Sequence, residues 1–95
     1  MTEKIRTSSG EVLPWTIDSI KKAPSESGVC VLRSGSEKAS ILYITSSENL
    51  ERTLSEHFLS KDVPEVLFFD WYTASIEHAR KIETAWISEY KPKYN

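Results

Sequence analysis

The sequence predicts a small α+β domain, with helices packed around a three-stranded, mostly antiparallel sheet. Three observations carry that expectation. The segments run helix, strand, strand, helix, strand, helix. A short Ser/Gly-rich link between the first two strands suits a hairpin. Apolar residues fall at helical spacing in some segments and in short β-branched or aromatic runs in others. A chain of 95 residues suits one such domain with one core, so the domain is expected to span residues 1–95.

Residues 1–11 are polar and contain Ser8-Ser9-Gly10, so residues 1–13 are expected as a loose arm. Residues 15–22 carry Trp15, Ile17 and Ile20 after Pro14, which predicts a short helix stopped by Ala23-Pro24. Residues 28–33 (Gly-Val-Cys-Val-Leu-Arg) predict a buried strand, and Ser34 to Lys38 a turn. Residues 39–45 predict a second strand. Thr45-Ser46-Ser47-Glu48 fits a helix-start capping pattern, followed by Leu50, Leu54, His57 and Phe58 on one helical face. Residues 65–72 predict an aromatic third strand, and residues 73–90 a long helix stopped at Lys91-Pro92.

Composition excludes several classes. Apolar residues make up 39% of the chain and charged residues 27%, which suits a globular domain and not a disordered one. No apolar run nears the ~20 residues that cross a bilayer, so no membrane partner is expected. The polar stretch Met1 to Thr7 has no apolar segment behind it, so no secretory leader is expected. The lone Cys30 makes neither an internal disulfide nor a cysteine-rich metal site. A cytoplasmic protein fits these features. The net charge of −2 counts against nucleic-acid binding through bulk electrostatics.

From Ala23 to Asn95 the order of motifs resembles the GIY-YIG endonuclease domain, as found in UvrC-type excision nucleases. The resemblance rests on Gly28-Val29-Cys30, Tyr43-Ile44-Thr45, Asn49-Leu50, Leu54, His57, Glu83 and the closing Pro92-Lys93-Tyr94-Asn95. It implies a nuclease fold in which a tyrosine acts as base, a glutamate holds one divalent metal and an arginine stabilises phosphate charge. Carried over residue by residue, Gly28, Tyr43, Glu83 and Asn95 are retained. Cys30 stands at the family's first tyrosine, Thr45 at its glycine, Ser46 at the basic residue that follows, and Thr53 at its arginine. His57 matches a histidine common at the end of that helix. If the site works, Tyr43 and His57 are its catalytic residues, and Glu83 binds Mg²⁺ or Mn²⁺. If it has decayed, no cofactor is expected and the domain binds DNA weakly or a protein partner.

Arg52 is next to the vacant arginine position, but helix geometry turns it away. Each residue rotates ~100°, so Arg52 lies off the Leu50/Leu54 face and between Glu48 and Glu56 at ±4. An exposed ion-pair ladder is therefore expected. Glu48, Glu51 and Glu56 would repel a phosphate backbone. Glu83 shares a helix flank with Ala79, Trp86, Ile87 and Tyr90. It is either a retained metal ligand or a boundary carboxylate bonded to a neighbour, with Tyr43 one candidate. Tyr43 is either a base or a core residue with a satisfied hydroxyl. Cys30 is expected as a small buried hydrophobe. Phe68, Phe69, Trp71 and Tyr72 could stack bases, but a strand covered by helices explains them more simply.

Overall fold

The computed structural model describes residues 12–35 and 40–95. Strands β1 (Leu13–Pro14), β2 (Gly28–Arg33), β3 (Ile41–Ser47) and β4 (Phe68–Thr73) form one sheet in the order β1-β4-β2-β3. Every pairing is antiparallel. Helices α1 (Ile17–Ile20) and α2 (Leu50–Ser60) pack against one face, and α3 (Ile76–Tyr90) against the other.

The sheet has four strands where the sequence predicts three. The added strand, β1, is two residues long and pairs Leu13 with Phe69 and Pro14 with Phe68. Leu13 is buried, inside the segment expected as an arm, while residues 1–11 lie outside the described residues. A two-residue strand has no alternation to detect, and only its partner β4 reveals it.

Side-chain alternation divides the core into two layers. Cys30, Leu32, Phe69 and Trp71 face α1 and α2, where Ile20, Leu50 and Leu54 complete the packing. Val29, Val31 and Ile44 face α3, where Ala79, Ile82, Trp86 and Ile87 cover them. The α3 side also holds a buried ion pair. Arg33 donates from Nε to Asp70 Oδ1 at 3.1 Å and from Nη2 to Oδ2 at 3.2 Å. The side chains are 5% and 2% exposed, respectively. Burial raises the Asp70 carboxyl above its ordinary range, and the Arg33 guanidinium only partly offsets this.

Several boundaries differ from the sequence expectations. α1 covers Ile17–Ile20, with Thr16 as its N-cap, because Pro14 is drawn into the sheet. β3 continues to Ser47, which pairs with Gly28, so the Thr45-to-Glu48 stretch is not the helix cap. The cap of α2 is Asn49, whose Oδ1 accepts from Arg52 N at 3.1 Å. Serine and threonine suit an extended edge as well as a cap, and the ladder to β2 decides between them. β4 begins at Phe68, after Glu65 turns the chain with φ 71°. α3 begins at Ile76, with Ser75 as its cap, and Thr73 belongs to β4. Phe69 and Trp71 are buried, as a covered strand requires, so they form no exposed stacking platform.

Candidate functional site

The residues singled out by sequence gather around β3, but they do not converge on one point. Tyr43 points to the α2 face, where its ring meets His57 edge-on at 5.5 Å between centroids. His57 Nδ1 bonds the Asp62 carboxylate at 2.9 Å, beyond the end of the helix. Burial pushes the Asp62 carboxyl up, but the His57 hydrogen bond and charge outweigh it and leave it below its ordinary value. Residues Glu56, His57, Leu59, Ser60 and Asp62 line a shallow depression there.

Glu83 approaches from the other side. Its Oε1 accepts from Ser46 N at 3.0 Å and also from the Ser46 hydroxyl. Ser46 pairs with Val29 of the α3 layer, so the side chains of Tyr43 and Ser46 lie on opposite sheet faces. The carboxylate's partner is therefore Ser46 and not the candidate Tyr43. Sequence reading missed Ser46 as a partner because 37 positions separate it from Glu83. Asn95 also bonds β3, with Oδ1 accepting from Ile44 N at 2.8 Å and Nδ2 donating to Ile44 O at 3.0 Å.

The resemblance sets Thr53 at the family's arginine. Thr53 Oγ1 shares a 2.6 Å hydrogen bond with Ser47 Oγ. Arg52 lies outside, 74% exposed and 3.6 Å from Glu56, as the helix phase requires. The first turn of α2 offers little to an anion either. Leu50 N is bonded to Glu26 O, Glu51 N to Pro24 O, Arg52 N to Asn49 Oδ1 and Thr53 N to Asn49 O. Thr45 Oγ1 donates to the Ser46 carbonyl at 3.2 Å.

The donor set around Glu83 does not fit a protein-built metal centre. Oε1 is engaged twice by Ser46, and among the described residues no group of three His, Cys, Asp or Glu side chains could hold a metal ion. Mg²⁺ wants about six oxygens in near-octahedral geometry, with waters and phosphates making up what the protein lacks.

Cys30, which the resemblance sets at the family's first tyrosine, is fully buried between Thr45 and Trp71 in the ladder. Burial, with the Asp70 charge adding to it, pushes its thiol far up, so it stays protonated. The native protein is therefore expected to leave Cys30 unlabelled by a thiol reagent until denaturant is added. Rapid stoichiometric labelling under native conditions would contradict this burial.

Gly28 owes its identity to a close approach. A Cβ there would lie 2.2 Å from Tyr72 O and 3.0 Å from Leu50 Cδ1. The glycine lets β2 run against β4 and beneath the start of α2.

Comparison with solved structures places this architecture among GIY-YIG domains. The GIY-YIG N-terminal endonuclease domain of UvrC from Thermotoga maritima, bound to magnesium, superposes with a TM-score of 0.59. It is 24% identical, and the match covers 82% of this chain and 97% of that one. A form of the same domain with an asparagine-to-alanine substitution, bound to its catalytic divalent cation, gives a TM-score of 0.66 at 23% identity. That match covers 82% of this chain and 96% of the other. A tyrosine-to-phenylalanine form gives 0.61 at 23% identity, with the same coverage. No family profile and no curated protein sequence matches the chain. The chain therefore has the GIY-YIG nuclease fold. Among the described residues, no helix is long and apolar enough to cross a membrane.

Proposed function

We propose that this domain does not cut DNA and acts as a binding module, with a protein as its partner. The observation that carries the reading is the uncharged arginine position. Thr53 is tied to Ser47 and the neighbouring Arg52 to Glu56, so neither meets the negative charge that develops in phosphodiester hydrolysis. Two further features support it. Glu83 is engaged by Ser46, where the family carries a basic residue. Glu56 on the outer face of α2 and Glu48 just before its cap are both exposed, which disfavours a phosphate backbone and suits a basic protein surface.

A second reading is a divalent-metal-dependent DNA endonuclease with a rearranged site. It draws on the retained Tyr43, Glu83 and Asn95, and on the metal-bound catalytic domains that share the fold.

The deciding experiment incubates supercoiled, branched and single-stranded DNA with Mg²⁺ or Mn²⁺, using wild type and Glu83→Gln. Neither protein is expected to cleave. Millimolar metal is expected to leave both melting temperatures unchanged, since a ligand that binds only the native state must raise Tm. Any DNA binding is expected to be weak and to fall steeply with salt. Cleavage and a metal-dependent rise in Tm, both lost in Glu83→Gln, would replace the first reading with the second.

A further inference from the structure

The two ends of the sheet are protected in different ways. β1 is two residues long and contains Pro14, both of which discourage strand addition. β3 is seven residues long, Ile-Leu-Tyr-Ile-Thr-Ser-Ser, with no charge, proline or glycine. A long, uncharged edge strand of high β propensity is the kind that pairs with another chain.

Five of its outward backbone groups are nonetheless occupied. Leu42 O accepts from Tyr94 N at 2.8 Å. Asn95 exchanges two hydrogen bonds with Ile44, accepting its N–H and donating to its carbonyl. Glu83 takes Ser46 N, and the Thr45 hydroxyl takes Ser46 O. The Asn95 amide thus reproduces the reciprocal pair that a facing strand residue would make. Glu65 anchors residues 93–95 from outside the sheet, accepting from Lys93 Nζ at 2.8 Å and from the Tyr94 hydroxyl.

We propose that Glu83 and residues 94–95 form a latch over β3, and that opening it turns β3 into an addition site for a second copy of this chain. The copy is the fitting occupant because an antiparallel β3–β3 pairing is self-complementary and has no charge on either strand to oppose it. Two residues that the resemblance assigns to a nuclease site then guard a sheet edge. The inference stands whether or not the domain cleaves DNA.

The test compares wild type, Asn95→Ala, Glu83→Ala and the double variant by light-scattering mass and by amide hydrogen exchange. Wild type is expected to be monomeric, with the Ile44 and Ser46 amides protected. Asn95→Ala is expected to lower protection at Ile44, and Glu83→Ala at Ser46, each by about tenfold, the loss of one net hydrogen bond. The double variant is expected to double in mass with rising concentration and to regain protection at both amides. A folded double variant that stays monomeric, or that forms open-ended assemblies, would overturn the proposal. Should the double variant not fold, Glu65→Ala decides. It removes only the exposed anchor, and unchanged exchange at Ile44 together with unchanged mass would overturn the latch.

Discussion

Replacing Arg33 with alanine is expected to destabilise the protein by about 3–5 kcal/mol, because it leaves Asp70 buried without its cation. The carboxylate is 2% exposed and receives two hydrogen bonds from the guanidinium. Urea unfolding at neutral pH measures the loss. The double replacement Arg33→Met with Asp70→Leu is expected to recover most of it, since a buried ion pair often contributes little more than well-packed apolar groups. The pH dependence follows from the direction of the Asp70 shift. Burial already raises its folded value above the unfolded one, and losing Arg33 raises it further. The folded variant then holds a proton that the unfolded chain has released, so its stability falls as pH rises. The deficit should be small below the unfolded value of about 3.9 and full above the raised folded value. A deficit independent of pH would mean that lost packing around the arginine stem dominates.

Gly28→Ala is the second large effect, expected to cost about 3 kcal/mol or more. The new methyl would sit 2.2 Å from a backbone carbonyl, which cannot rotate away as a side chain does. Either β2 and β4 separate where Gly28 pairs with Thr73, or the start of α2 lifts. For a domain of this size, Tm should fall by about 12 °C or more. Gly35→Ala is the control. Among the described residues its Cβ would meet nothing closer than Ser40 Cβ at 3.7 Å, an ordinary contact, and little change is expected. A Gly28→Ala variant within about 1 kcal/mol of wild type would show that the strands move apart easily, against the packing argued for this position.

Gly28 also bears on how far shared motif residues speak of chemistry. It belongs to the pattern by which the chain resembles a nuclease, yet strand spacing alone explains it. Asn95, whose Oδ1 accepts from Ile44 N, and Glu83, whose Oε1 accepts from Ser46 N, likewise bond the backbone of β3. Residues of a shared motif can thus serve backbone contacts as well as chemistry.

The sequence by itself determined what depends on neighbours within about one helical turn or one strand. The helical period set the exposure of Arg52 and the burial of Leu50 and Leu54. β-branched and aromatic runs marked β2 and β4, and Lys91-Pro92 marked the end of α3. The motif order carried the fold class. Only the tertiary structure decided β1, which is too short to have a pattern, and the choice of Asn49 over Thr45 to Glu48 as the α2 cap. It alone decided that Tyr43 and Ser46 face opposite sides of the sheet, and that Glu83 and Asn95 bond the edge strand. Those partners lie 37 and 51 positions apart. Serine, asparagine and glutamate can satisfy almost any nearby donor or acceptor, so their identity names no partner. Packing the strands and α3 together leaves specific backbone groups of β3 open, and each polar side chain bonds the group that packing brings to it.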